Sequence, residues 1–432
     1  NNNADPFKFK INAGTGDNSL ITFKVTVYDG TYFDNYFFDV TVNVDYINIA
    51  INDVATTITS KGKIGYNADG QLQGLGFKYL GTNLLYEASV MFGSSSTKVS
   101  DSFRGATAGT ADADFQSVVK ANKTVPGVFS EFDVHGRFND AVATPVQNLL
   151  VSHSAYAWTT PGNRKYVIVE YVMKNSGTTP INTLYAGIAA DWDIDAATAS
   201  QNKSNYDAAT KMGYVYSTAT GGKFAGIKLL TNTAAPVCYN IDNIAGGGGV
   251  DINDATDYFG TGNKYTTLST NRYIAGAADS DGEDIVGVMS SGPFTIAAGD
   301  SAKVAFALIA GDDLTDIKKS ADSAQVHYDG PPQIVTSIKN NDANELNAVV
   351  FPNPTNSDLN FMINTTKSEN VDIILVNTLG QTMKHLVKTN MNSGFNQITT
   401  DVSQLPAGTY FYQIKTDNAS LAENIDVQDE NS

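Results

Sequence analysis

Apolar and polar residues alternate with a period of two along most of this chain, in short segments separated by glycine-, asparagine- and aspartate-rich turns. "LITFKVTVYDG" (20–30) and "YFFDVTVNVDYINI" (36–49) set the pattern, rich in Val, Thr, Phe and Tyr, with the Asp29–Gly30 pair as a hairpin-type turn between them. Successive strand side chains point to opposite faces, so a period of two buries one face and wets the other. Other segments, such as "YVIVEYVM" (166–173), are apolar on both faces and read as central strands covered on each side. The fold class this implies is all-β, as tandem β-sandwich domains.

A helical period stands out once, in "DDLTDIKKSADSAQVHY" (312–328), where Leu314, Ile317, Ala321 and Ala324 share one face. Asp312 or Asp313 suits the helix start, and a cation at His327 would suit the dipole at its end. "PFTIAAGDSAKVAFAL" (293–308) reads as a hairpin across Gly299–Asp300, and Gly246–Gly249 as a loop tip.

Four regions follow. Residues 1–48 read as a partial Ig-like sandwich, short of a closed core, and hence as a piece of a longer precursor. Residues 49–330 form a large central sandwich with one helix near its end. Residues 331–347, polar and turn-rich, read as a linker, and 348–432 as a small Ig-like unit. The first residues show no basic-then-apolar leader, and no run approaches the about eighteen apolar residues of a membrane helix, so no membrane insertion is expected.

Acidic residues outnumber basic ones 45 to 28, a net charge of −17, which repels nucleic acid and anionic lipid. Cys238 is the only cysteine; no internal disulfide or thiolate metal cluster can form, and its apolar context, "APVCYNI", reads as a small buried residue.

The last unit carries "FPNPTNSDLNF" (351–361), "VDIILVNTLGQTM" (371–383) and "LPAGTYFYQIKT" (405–416), in that order. It resembles the type A C-terminal sorting domain of the type IX secretion pathway of Bacteroidetes. The resemblance implies export through the type IX translocon and sorting machinery, with a location outside the cell or on its outer surface. The chain departs from the family's basic ending, finishing on the acidic "NIDVQDENS". More loosely, 49–328 resembles the non-catalytic region that follows the catalytic domain in secreted subtilisin-like proteases of the same bacteria. The phrases are "TTITSKGKIGYN", "GLGFKYLGTNLLYEASVMFG", "YVIVEYVMKN", "LYAGIAADWDID" and "GPFTIAAGDSAKVAFALIAGDD". This implies an accessory role beside a protease. The alternative is a structural or adhesive surface protein, self-associating or filament-forming through open strand edges.

No subtilisin-type serine context, nucleophile elbow, H-E-x-x-H pair, phosphate loop or dinucleotide fingerprint occurs, and no catalytic residue is assigned. His135 has a His-Gly pair without the sequel a subtilisin-type site carries, and His153, alternating with aromatics, reads as a strand residue. The chemical candidates are acidic. In "LYAGIAADWDID", Leu184, Ala186, Ile188, Ala190, Trp192 and Ile194 form an apolar face, leaving Asp191, Asp193 and Asp195 together on the other. Ca²⁺ would relieve their repulsion, with Asn202, Asn205 and Asp207 completing its shell from a following loop; a solvated strand end is the plainer alternative. A second acidic stretch, "ADSDGEDI", holds Asp279, Asp281, Glu283 and Asp284, either a calcium loop or an acidic turn. Ser301 and Ser323 sit in Asp-Ser-Ala tripeptides that resemble the Bacteroidetes O-glycosylation pattern.

Overall fold

The computed structural model of the chain describes residues 9–12, 14–124, 127, 129–195, 200–244, 246–276, 282–329, 347–351, 355, 358–365, 367–377, 381–392, 394–417 and 420–427. The expected all-β architecture is what they form. Strands Ser19–Asp29 and Tyr32–Val42 make the first hairpin, with Asp29 opposite Tyr32 and Gly30 at φ 60°. Its faces carry exposed Tyr28, Phe33, Tyr36 and Phe37. At its base Lys120 Nζ meets Asp17 Oδ1 at 2.5 Å, and Asn18 Nδ2 donates to Asp45 Oδ1 at 2.7 Å.

The central unit packs a ten-stranded antiparallel sheet on an eight-stranded one, counted among the described residues. Strand Tyr46–Ile49 already belongs to the larger sheet, pairing with Val54–Thr59. The inner faces meet in one core, with Val90, Phe92, Ile188 and Trp192 from the larger sheet against Val134, Val151, Phe306 and Leu308 from the smaller. The outer faces are also covered, which accounts for strands apolar on both sides. Helix α1 (Thr261–Ser269) lays Leu268 against Met91, Ala189 and Val288 of the larger sheet. Helix α2 (Leu314–Asp329) lays Ile317, Ala321 and Ala324 against Tyr166, Ile168 and Ala307 of the smaller. The face expected from the sequence is the one that docks. Asp313 Oδ1 accepts the Asp316 N–H at 2.9 Å and caps α2, while Asp312 is held by Lys223 at 2.6 Å. Helix α1 was not expected, because its nine residues are polar and Thr-rich and give no apolar stripe.

The hairpin expected across Gly299–Asp300 is instead a crossover. Strand Ile285–Ile296 pairs with Ile181–Trp192 and Ala235–Asp242 in the larger sheet; Ser301–Gly311 pairs with Tyr166–Asn175 and Phe224–Leu229 in the smaller. Gly and Asp turn the chain equally well in both geometries, so the motif fixes a reversal and leaves the partner open. Asn175 holds this corner and a second one, since the chain also changes sheets between Asn175 and Ile181. Its fully buried amide donates to Ile296 O at 3.0 Å and Thr179 O at 2.8 Å, and its Oδ1 accepts the Gly177 N–H at 2.9 Å. Its backbone N–H reaches Asp300 O at 2.9 Å and its carbonyl accepts from Gly299 N at 2.9 Å. Cys238 is buried in the core, where its strand in the larger sheet crosses Gly213 of the smaller; a Cβ on Gly213 would lie 2.7 Å from its Sγ.

The C-terminal unit is a sandwich of three strands (Asn347–Phe351, Asp358–Thr365, Gly394–Asp401) and four (Thr382–Met391, Glu369–Asn377, Gly408–Thr416, Ser420–Val427). Phe361 meets Tyr412 edge-on at 5.6 Å in its core. Phe351 and strand Asp358–Thr365 both lie in the three-stranded sheet, and between them Thr355 makes a single bridge to Val427 of the other. Pro352 and Pro354, like most of the expected linker at 331–347, lie outside the described residues. "LPAGTY" also gains a physical reason, because the Tyr410 hydroxyl donates back to Pro406 O at 2.8 Å and ties the turn to the strand it opens.

Replacing Asn175 with Ala removes three side-chain hydrogen bonds at the buried corner. Urea unfolding is expected to show a loss of about 2–4 kcal/mol.

Candidate functional site

The two acidic stretches picked out in sequence converge on one place. Strand Ile181–Trp192 pairs with Ile285–Ile296 so that Asp191 faces Val286 and Trp192 faces Ile285. One step further along this ladder, Asp193 comes abreast of Asp284. On the other side Glu87 is directly opposite Asp191. The expected apolar face, Leu184 to Ile194, is buried in the inter-sheet core. The opposite face is not a solvated strand end. Ala189 packs under α1, and Asp191, next in that row, is only 3% exposed.

Carboxylate oxygens of Asp191, Asp193 and Asp284 lie within 4.8 Å of one another. Arg104, from the segment after strand Lys98–Asp101, enters among them. Its Nε donates to Glu87 Oε1 at 2.6 Å, one Nη to Asn243 Oδ1 at 2.9 Å and the other Nη to Asp191 Oδ2. Asn243 in turn donates its Nδ2 to Asp284 Oδ2 at 3.1 Å. These groups line a cavity of about 580 Å³ that also presents Tyr66, Tyr86, Asn253 and Tyr258.

Anions exceed cations in this cluster, and the proton affinities follow. Burial pushes Asp191 up to about 8; Arg104 opposes this, while Asp284, Glu87 and Asp193 add to it. Burial also raises Asp193, and burial with the Asp193 charge raises Asp284. Burial works against the Arg104 charge, but Asp191 and Glu87 outweigh it and hold the guanidinium firmly protonated.

Other candidates from the sequence go elsewhere. Asp195 adopts φ 56°, which ends the alternation, and it falls outside the group of three. Asn205 and Asp207 are on a strand, Asn202–Asp207, at the edge of the smaller sheet, where a loop was expected. Asp207 is held there by Lys318 at 3.0 Å and Thr210 at 2.8 Å. Glu283 exchanges backbone hydrogen bonds with Asn202, at 2.7 and 2.9 Å. Asp279 and Asp281 lie outside the described residues. Ser301 is exposed at the start of its strand, whereas Ser323, on α2, donates to Asn163 Oδ1 at 2.5 Å. A further acidic group, Asp101, Asp112 and Asp114, is invisible in sequence. It already holds an internal cation, since the buried Lys264 ammonium of α1 reaches Asp101 at 2.6 Å and Asp112 at 2.7 Å. Glu87 and Arg104 were missed as well; the one signal was a lone charge inside the apolar run "NLLYEASVMFG".

The histidines are placed by packing. His153 is buried with its ring against Phe138 at 5.4 Å and over Gly136, whose missing Cβ would lie 2.2 Å from His153 Nε2. The His135–Gly136 pair thus makes room for a ring on the neighbouring strand. His135 Nδ1 lies 2.9 Å from Ser154 Oγ, but among the described residues its buried Nε2 has no partner and no carboxylate orients the ring as a triad requires. His327 packs on Trp158 at 4.7 Å, and burial lowers its pKa, so the neutral ring replaces the dipole-stabilised cation expected at that helix end.

Two outcomes follow from this chemistry. Arg104→Ala removes three hydrogen bonds at the centre of the cluster and drives the buried Asp191 carboxyl further towards its neutral form; it is expected to cost about 2–4 kcal/mol in urea unfolding at neutral pH. Burial, with His135 nearby, lowers His153 from 6.5 to about 4. The unfolded chain then binds the extra proton, so this stability is full above pH 6.5 and declines as pH falls towards 4, by on the order of 3 kcal/mol. Stability measured against pH for His153→Gln should be flatter over that window than for the wild type.

Residues 349–428 match the family model described as the secretion system C-terminal sorting domain. No curated protein matches the chain. Among solved structures, a polysaccharide lyase is similar at 9% identity with a TM-score of 0.29, over 89% of this chain and 47% of its own, so the chain spans about half the length of that structure. Among the described residues, no helix is long and apolar enough to cross a membrane. The unit at 349–428 is a type IX secretion C-terminal sorting domain, and the chain that carries it is exported to the cell surface or the extracellular space.

Proposed function

We propose that this chain is the non-catalytic accessory and sorting region of a larger exported hydrolase, with a subtilisin-like protease as the class its central sandwich resembles. The observation that carries this reading is the employment of the histidines, the usual bases of serine hydrolases. His153 fills the space above Gly136, His327 covers Trp158, and His385 Nε2 lies 2.9 Å from Asp372 Oδ1 on the sorting unit. His135 meets a serine, but Ser154 is only 9% exposed and sits mid-strand, where no peptide substrate reaches it. In this reading the central sandwich is a rigid body that carries a polar cavity, and the last unit is the address.

The test uses the chain behind a general secretory leader in a type IX-competent host. The full chain is expected in the medium or on the surface, and a chain lacking 348–432 in the periplasm. A serine-directed fluorophosphonate probe is expected to leave the purified chain unlabelled. Equal secretion of both forms would overturn the address; stoichiometric labelling abolished by Ser154→Ala would overturn the accessory role.

A further inference from the structure

We propose that Asp191, Asp193 and Asp284 bind a hard divalent cation in the polar cavity, with Arg104 and Asn243 as the residues that position two of the three ligands. The inference stands whether or not the chain accompanies a protease. Two oxygens on one Ca²⁺ ion, each bound at roughly 2.3–2.6 Å, are at most about 5 Å apart. The three carboxylates meet that limit, since their oxygens lie within 4.8 Å of one another.

The independent observation is the state of the buried oxygens. Asp191 is only 3% exposed; Arg104 takes its Oδ2, and its Oδ1 is buried with no hydrogen-bond partner. Asp284 repeats the arrangement, with Oδ2 on Asn243 at 3.1 Å and Oδ1 buried and unpartnered. An unmatched buried acceptor is costly, and a carboxylate with one oxygen held by the protein and one left over is oriented as metal-ligating carboxylates are. Charge points the same way. Among the described residues, Glu87, Asp191, Asp193 and Asp284 are set against one guanidinium, which donates to Glu87, Asp191 and Asn243 and to neither unpartnered oxygen. At the other acidic group, Asp101, Asp112 and Asp114, the Lys264 ammonium supplies the cation from within. Among the described residues no lysine pairs with the first group: Lys63, on the same cavity wall, is paired with Asp69 at 2.5 Å.

Carboxylate oxygens with room for water in an open cavity suit Ca²⁺, which tolerates irregular shells, better than Mg²⁺, which demands a near-ideal octahedron. Such an ion would join the end of strand Ile181–Trp192 to the residue that precedes Ile285–Ile296.

The experiment uses the full chain with Ca²⁺, Mg²⁺ or chelator in thermal unfolding, and Tb³⁺ as a luminescent probe that Tyr66, Tyr86 and Tyr258 on the same cavity can sensitise. Ca²⁺ is expected to raise the melting temperature by mass action on the folded state and to displace sensitised Tb³⁺. Asp193→Asn with Asp284→Asn is expected to abolish both responses, and Asp284→Asn alone to weaken Ca²⁺ binding at least tenfold. Asp114→Asn, in the lysine-neutralised group, should respond as the wild type does. A shift with Mg²⁺ that the double variant loses also supports the site. Overlaid melting curves with ion and chelator, together with no sensitised Tb³⁺ emission, would overturn it, as would wild-type responses in a folded Asp284→Asn chain.

Discussion

Asn175 stands where the chain leaves one sheet for the other, beside the corner where a later segment makes the return crossing, and one buried amide satisfies backbone groups from both. Two sheets that share a core can slide or splay unless something fixes their relative position, because dispersion contacts are weak individually and undirected. Hydrogen bonds have direction, and those of the fully buried Asn175 amide are made away from solvent. With the corner fixed, strand Tyr166–Asn175 pairs centrally in the smaller sheet and Ile181–Trp192 in the larger. The register of Ile181–Trp192 in turn decides which carboxylates meet at its far end. The acidic cavity is thus a long-range consequence of how the sheets are joined.

The cavity contrasts two ways of handling excess negative charge in one domain. Around Lys264 the countercharge is covalent and permanent, delivered by a short helix that Leu268 also anchors to the sheet. Around Arg104 it is incomplete. A single guanidinium organises its neighbours but leaves two buried oxygens without a donor. Proteins in extracellular fluid meet far more free Ca²⁺ than cytosolic ones do, and export by the sorting domain puts this cavity in that setting.

Much of the fold was legible because alternation reports directly which face is buried. The row Leu184–Ile194, the α2 face and several strands of the last unit could be read in that way. Alternation does not report partners. The turn at Gly299–Asp300 looks the same whether the next strand folds back or changes sheet, and α1 docks through an ion-paired lysine that no periodicity reveals. The site was half legible for the same reason. Asp191 and Asp193 share a face by local geometry, but Asp284 joins them only through a register set 93 residues later along the chain (284 − 191). Arg104 and Glu87 arrive through contacts that are equally non-local. Asn205 and Asp207 followed so closely in sequence that proximity was assumed, yet the chain had meanwhile crossed to the other sheet.

The lone thiol of Cys238 has a use that follows from its place opposite Gly213. Burial pushes it up to about 12, and its strand and the glycine's belong to different sheets. A thiol reagent in solution can reach the sulfur only when the core opens around it, by parting of the layers or by release of its edge strand. The rate of its modification therefore counts openings of the central sandwich, giving the folded chain a built-in clock that reads neither the ribbon at its start nor the address at its end.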